Sequence, residues 1–88
     1  MTQSLIFHRV KHILVADFSK SEGQVTLAAT LRGTLMMDSL DLVDLLFFLQ
    51  REFQFDARLE DLRDIKSLDG LVEFIASQGP DTPTAAAG

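Results

Sequence analysis

The segment from residue 38 to residue 54 constrains the fold of this chain more than any other. Its apolar residues recur at the spacing of one α-helical face: Leu42, Leu45, Leu46, Leu49 and Phe53. Asp38 is a good N-cap for this helix, and Asp41 stands three residues later, as in a capping box. The sequence therefore predicts a helix over residues 39–54 with one buried side.

The other side of this helix is apolar as well. It carries Leu40, Val43, Phe47 and Phe48, interrupted by polar and charged residues. A helix that is apolar on two sides is either buried all round or offers one side to a partner. A chain of 88 residues buries only roughly 60–65% of the surface that its unfolded form exposes. Complete burial is therefore hard to arrange, and we favour a side that contacts a partner.

A first helix is predicted over residues 4–18, with Thr2 or Ser4 as its cap. The residues at helical spacing on its inner side are Ile6, Val10, Ile13, Leu14 and Phe18. A long connection over residues 19–37 follows, with no sustained periodicity and a bend expected at Gly33. Four spaced apolar residues are expected to hold it to the core: Val25, Leu27, Leu31 and Leu35. A short helical turn near residues 26–31 is also compatible with the sequence.

The remaining chain predicts one short helix and one longer helix. Asp56 is the expected cap of the short helix over residues 57–65, whose apolar residues are Leu59, Leu62 and Ile65. Ser67 is the expected cap of the last helix, which Gly79-Pro80 ends. Its inward residues are Leu68, Leu71, Val72 and Ile75, with Phe74 beside them.

These patterns predict an all-α fold, a small bundle of three main helices plus one short helix with a long loop after the first. One domain is expected over residues 1–79. The last residues, 80–88, have nothing large to bury and are predicted to form a disordered tail.

Charge and composition narrow the classes of function. The formal net charge is −5, and residues 38–88 hold eleven carboxylates against four basic residues, a net of −7. Such a surface would repel nucleic acid and anionic membrane but suits a basic patch on a protein partner. The chain has no cysteine, which excludes disulfides and thiolate catalysis. No leader or long apolar run is visible, so we expect a cytoplasmic protein without stable membrane insertion.

Ser39 places a hydroxyl in the first turn of the best predicted helix. The first backbone N–H groups of a helix lack intrahelical acceptors, and this end of the macrodipole is positive. An anionic group attached at Ser39 would therefore be favourably placed, although Asp38 and Asp41 oppose it. The plainer interpretation is that Ser39 helps to cap the helix, as serine often does.

The run Asp38-Ser39-Leu40-Asp41 resembles the modification site of acyl carrier proteins, and the resemblance covers about residues 4–78. It extends to Val43-Asp44-Leu45, to Glu52-Phe53 and to the closing helix. The resemblance implies a free-standing, monomeric carrier and not an enzyme. It implies that a phosphopantetheinyl transferase esterifies Ser39 with phosphopantetheine from coenzyme A, while Asp38 helps to position magnesium. The thiol of the attached arm would then hold acyl groups as thioesters.

The resemblance also implies where partner enzymes dock. They would contact the second helix at the residues nearest Ser39, which are Leu40, Val43, Asp44 and Phe47. The partners implied are acyl-loading, ketosynthase-type or acyltransferase enzymes of fatty-acid, polyketide or related specialised biosynthesis. The bundle interior would shelter a short acyl chain among Leu45, Leu49, Phe53, Ile65 and Leu71.

Three sites depart from the family pattern. Met36-Met37 stands where a glycine and a small residue usually precede the Asp-Ser pair. Gln50 and Arg51 replace acidic residues typical of this helix, and Ala57-Arg58 replaces a large aliphatic residue followed by proline. The attachment site is intact, but the more apolar and less acidic helix favours a specialised pathway with its own enzymes.

Three alternatives remain open. A peptidyl carrier of nonribosomal synthesis shares the fold and the modification, but its motif usually has a pair of glycines that this chain lacks. An unmodified carrier-like module would recruit partners through Leu40, Val43 and Phe47. A hydrolase with Ser39 as nucleophile would need a nearby base, and the only histidines are His8 and His12 on the first helix.

Overall fold

The computed structural model describes residues 2–78, and this part of the chain is helical with long connections. Its α-helices are α1 (Gln3–Asp17), α2 (Ser39–Phe53), α3 (Leu59–Asp64) and α4 (Leu68–Ser77). The predicted all-α bundle, with three main helices, one short helix and a long loop after the first, is confirmed. The predicted tail over residues 80–88 and the stop at Gly79-Pro80 lie outside the described residues.

The core is built from the apolar stripes that the sequence predicts for the three longer helices. Its buried members on these helices are Ile6, Val10, Ile13, Leu14, Leu42, Leu45, Leu46, Leu49, Phe53, Leu68, Leu71, Val72 and Ile75. Each such side chain contributes roughly 1.5–3 kcal/mol by leaving water. Phe18 is half-buried and packs edge-on against Phe48, with ring centroids 5.6 Å apart. Phe48 therefore turns toward α1, away from the free side of α2.

The long loop is fastened to the start of α4 by backbone hydrogen bonds. The N–H of Leu31 donates to the carbonyl of Lys66 at 3.0 Å, and the N–H of Leu68 donates to the carbonyl of Ala29 at 2.9 Å. The N–H of Asp69 donates to the carbonyl of Leu27, also at 2.9 Å. The bonds from Leu68 and Asp69 use donors at the start of α4 that would otherwise lack acceptors.

The predicted loop anchors are right at three positions and wrong at one. Val25, Leu31 and Leu35 are buried, whereas the side chain of Leu27 is 49% exposed. The carbonyl of Leu27 instead accepts a hydrogen bond from the N–H of Asp69. Ala29 and Met37 are buried, which the pattern did not predict. The helical turn suggested near residues 26–31 is also wrong. A single 3₁₀ turn forms earlier, at Glu22–Gln24.

The short helix α3 begins later than predicted. Its N-cap is Arg58 and not Asp56, and the N–H of Arg58 donates to the Asp61 carboxylate at 2.9 Å. The preceding residue, Ala57, lies in the connection, where its carbonyl accepts a hydrogen bond from the Gln50 side chain at 3.0 Å. This contact from α2 holds the chain outside the helix until Arg58.

Candidate functional site

The start of α2 is closed by a reciprocal pair of aspartates. The N–H of Asp41 donates to Oδ1 of Asp38 at 2.9 Å, and the N–H of Asp38 donates to Oδ2 of Asp41 at 3.2 Å. The predicted capping box is therefore confirmed. It fixes the direction in which the chain enters α2 and thus the position of the next residue, Ser39.

Ser39 is the first residue of α2, and it is exposed. Its hydroxyl makes no hydrogen bond with any residue in the described part of the chain. Because Asp38 caps the helix, the fold does not need the Ser39 hydroxyl for that purpose. Helix capping therefore does not explain why a serine stands at this position.

The backbone around Ser39 suits an anionic substituent. The first N–H groups of α4 are bonded to the loop or, for Gly70, to Oγ of Ser67 at 3.5 Å. At the start of α2 the capping box uses the N–H groups of Asp38 and Asp41, and nothing within residues 2–78 accepts from Ser39 or Leu40. These two donors and the positive end of a 15-residue helix would favour a phosphodiester on the Ser39 oxygen, against the repulsion of the Asp38 and Asp41 carboxylates.

The side of α2 that runs away from Ser39 is partly open. Leu40 is 75% exposed and Phe47 is 61% exposed. Asp44 is also exposed, and Val43 is half-buried. The structure therefore brings the four predicted contact residues to one side of α2, three of them freely accessible.

The far end of α2 is engaged within the chain. The carboxylate of Glu52 binds the guanidinium of Arg9 on α1 at 2.6 Å, and Gln50 is tied to Ala57. Arg51 is exposed. The last four residues of α2, 50–53, therefore present no unpaired carboxylate to a partner.

Two features of the structure were not predicted from the sequence. Met36 has a left-handed backbone, with φ of 54°, and its side chain is 75% exposed. The Arg9–Glu52 contact joins residues that are far apart in the sequence. The Arg9–Glu52 contact has no local sequence signal. The signal at Met36 is that Met36-Met37 stands where the family pattern usually has a glycine and a small residue.

The histidines do not assemble with Ser39 into a hydrolytic site. His8 and His12 lie on α1 beside a surface cavity of about 200 Å³, together with Lys11, Val15 and Glu22. Ser39 does not line this cavity. A nucleophilic serine needs a base within hydrogen-bond reach, and the described structure supplies none.

Comparison with known proteins identifies the family of this chain. The sequence family described as "Phosphopantetheine attachment site" matches residues 8–75. An acyl carrier protein of Petrotoga mobilis is 36% identical over 78 residues, covering 89% of this chain and 92% of the relative. An acyl carrier protein of Coprothermobacter proteolyticus is 35% identical over 77 residues, covering 88% and 94%.

The fold is likewise shared with a solved structure. The crystal structure of an acyl carrier protein from Thermotoga maritima superposes with a TM-score of 0.74 at 20% identity, covering 86% of this chain and 88% of that one. The fold and the family match define a small helical carrier domain. The chain belongs to the acyl carrier protein family, with phosphopantetheine as its covalent cofactor. Members of this family are carriers and not catalysts. In the described residues, no helix is long and apolar enough to span a bilayer.

Proposed function

We propose that Ser39 is the attachment point of the phosphopantetheine arm. The observation that carries this proposal is the exposed, unbonded hydroxyl of Ser39 next to a cap made entirely by Asp38 and Asp41. In the transfer, the Ser39 oxygen loses its proton and bonds the pantetheine phosphate of coenzyme A, and 3′,5′-ADP leaves. When attached, the arm supplies a terminal thiol that holds acyl groups as thioesters.

Asp38 has a second role in this proposal. Its Oδ1 atom accepts from Asp41, whereas Oδ2 has no partner within residues 2–78. Carboxylate oxygen is a ligand that Mg²⁺ prefers, and Mg²⁺ is usually held by one or two carboxylates together with substrate phosphates. One carboxylate therefore caps the helix and remains able to assist the transferase through its other oxygen.

The partners are proposed to be a phosphopantetheinyl transferase and acyl-loading, ketosynthase-type or acyltransferase enzymes. They would dock through Leu40, Val43, Asp44 and Phe47. The exposed Arg51 and the paired Glu52 favour cognate enzymes of a specialised pathway over those of general fatty-acid synthesis. We expect these encounters to take place in the cytoplasm, with the carrier as a monomer.

The attachment is tested by intact-protein mass spectrometry after incubation with coenzyme A, Mg²⁺ and a broad-specificity transferase. One phosphopantetheine should add to the native chain and none to Ser39→Ala. Ser4→Ala is the matched control, since Ser4 is also exposed in the first turn of a helix. It should gain the arm normally. A native chain that gains no arm, or an arm that persists in Ser39→Ala, would refute the proposal.

The cargo is tested on protein purified from its native cells. The mass beyond the arm distinguishes an acyl group from an aminoacyl group, which a peptidyl carrier would hold. An aminoacyl mass would overturn the acyl assignment while leaving the attachment site intact.

A further inference from the structure

Met36 combines an unfavourable backbone with an exposed apolar side chain. Its φ of 54° lies in the left-handed region, which favours glycine and costs other residues energy. Its neighbours Leu35 and Met37 are 1% and 2% exposed, whereas Met36 is 75% exposed. The core therefore gains little from this methionine. Unfavourable backbone conformations of this kind cluster at binding sites, so Met36 calls for a role outside the core.

Met36 belongs to a local concentration of exposed apolar surface. In the described chain, the three most exposed large apolar side chains are Met36, Leu40 and Phe47, at 75%, 75% and 61%. All three lie within eight residues of Ser39 along the chain. Three residues of extended chain span at most about 10–11 Å, so the Cα atoms of Met36 and Ser39 lie within that distance of each other. An enzyme that reaches the Ser39 hydroxyl must therefore come close to Met36.

Charge limits what can cover this surface. From residue 33 to residue 50 the charged residues are Asp38, Asp41 and Asp44, all acidic. Beyond them Arg51 is exposed and Glu52 is paired with Arg9. The complementary partner surface is an apolar groove with a basic rim, and it ends near Phe47.

We propose that Met36 is a specificity-determining contact for the phosphopantetheinyl transferase that modifies Ser39. The footprint of this enzyme extends from the loop at Met36 over Leu40 to Phe47, and it stops short of the C-terminal end of α2. The unfavourable backbone at Met36 is retained because the contact needs a large apolar side chain there. This inference rests on the proposed attachment at Ser39.

The test measures kcat/KM for arm transfer by the phosphopantetheinyl transferase purified from the native cells, with coenzyme A and Mg²⁺. Met36→Gly and Met36→Asn should lower kcat/KM about fivefold to tenfold, mainly through KM, since they remove apolar area buried on docking. Asn tolerates left-handed backbone, so it removes the side chain without loosening the loop. Met36→Leu, which keeps an apolar side chain, should stay within about twofold of the native value.

The chain provides matched controls for the backbone. Ser19 and Gln54 are the other non-glycine residues with positive φ among those described, at 58° and 53°. Ser19→Gly, Gln54→Gly and Met36→Gly should each relieve the strain of a left-handed backbone and raise the Tm. Ser19→Gly and Gln54→Gly should leave kcat/KM for arm transfer unchanged. Added NaCl should slow the transfer because it screens the basic rim, while the ratio of native to Met36→Asn rates stays constant.

The inference is overturned if Met36→Gly and Met36→Asn are modified at the native rate. It is equally overturned if only Met36→Gly is modified slowly, because loop rigidity would then be the cause. It is also overturned if the ratio of native to Met36→Asn rates falls to one as NaCl is added. A native chain that accepts no arm refutes the proposed attachment itself. The two failures are therefore distinguishable.

Discussion

At the scale of single residues, the site depends on two neighbours with different tasks. Asp38 bonds the backbone of Asp41 and fixes the start of α2, whereas Ser39 has an exposed hydroxyl without a partner in the described chain. Because the structural task falls on Asp38, the hydroxyl is available for chemistry without loss of stability. The sequence predicted both the cap and the serine, but it left open which of them the helix needs.

This division predicts different outcomes for three substitutions. Ser39→Ala should change the free energy of unfolding by less than about 0.5 kcal/mol, as for a surface position without partners. Asp38→Ala should cost about 1 kcal/mol, because it removes the N-cap. Asp38→Asn should keep most of the stability, since asparagine caps nearly as well, yet it should slow arm transfer because the charge is lost. Urea denaturation and the mass-spectrometric transfer assay measure the two effects separately.

The comparison of the Asp38 variants identifies the cause. If Asp38→Asn receives the arm as fast as the native chain, Asp38 acts only as a cap. If Ser39→Ala is destabilised as much as Asp38→Ala, the serine also supports the helix, and the division of tasks is wrong.

At the scale of elements, α2 has two apolar sides with different roles. Leu49 is 0% exposed and faces the bundle, whereas Phe47, two residues earlier, is 61% exposed. Phe48 packs edge-on against Phe18, the residue that directly follows α1. Neighbouring residues on a helix point about 100° apart, so the two steps from Phe47 to Leu49 turn the side chain by about 200°, from the surface to the core.

We therefore expect opposite effects from two truncations on this helix. Leu49→Ala should cost about 2–5 kcal/mol of stability, because it opens a cavity in the core. Phe47→Ala should change stability by less than about 0.5 kcal/mol. Thermal or urea unfolding, followed by circular dichroism, measures both. A large loss of stability in Phe47→Ala would show that this side chain packs within the bundle and is not a docking residue.

At the scale of the whole molecule, net charge opposes the compact state. The chain carries −5 overall, as −7 from residue 38 onward and +2 before it. The bundle measures 38 × 24 × 19 Å. The Debye length is about 30 Å at 0.01 M salt and about 8 Å at 0.15 M, so repulsion acts across the molecule only at low salt.

Added NaCl should therefore stabilise this protein. Between about 0.01 M and 0.15 M NaCl we expect the Tm to rise by a few degrees, since 1 kcal/mol corresponds to about 4–8 °C for a domain of this size. The Arg9–Glu52 pair weakens in salt, but it is about 40% exposed on both sides and contributes at most about 1 kcal/mol. Differential scanning calorimetry measures the shift. A Tm that falls with NaCl would mean that attractive ion pairs outweigh repulsion.

The sequence by itself determined the helices, their buried stripes and the capping of α2. These features depend on periodicity and on contacts between residues three or four apart, such as Asp38 with Asp41. The candidate serine was also predictable, because the same local run resembles the family motif.

Only the tertiary structure decided how these pieces meet. It placed Phe48 against Phe18, left Phe47 and Leu40 open, and tied the long loop to the start of α4. It also set the left-handed backbone at Met36 between two buried neighbours. The Phe18–Phe48 packing and the fastening of the loop depend on contacts between segments distant in sequence, and local periodicity carries no information about such contacts.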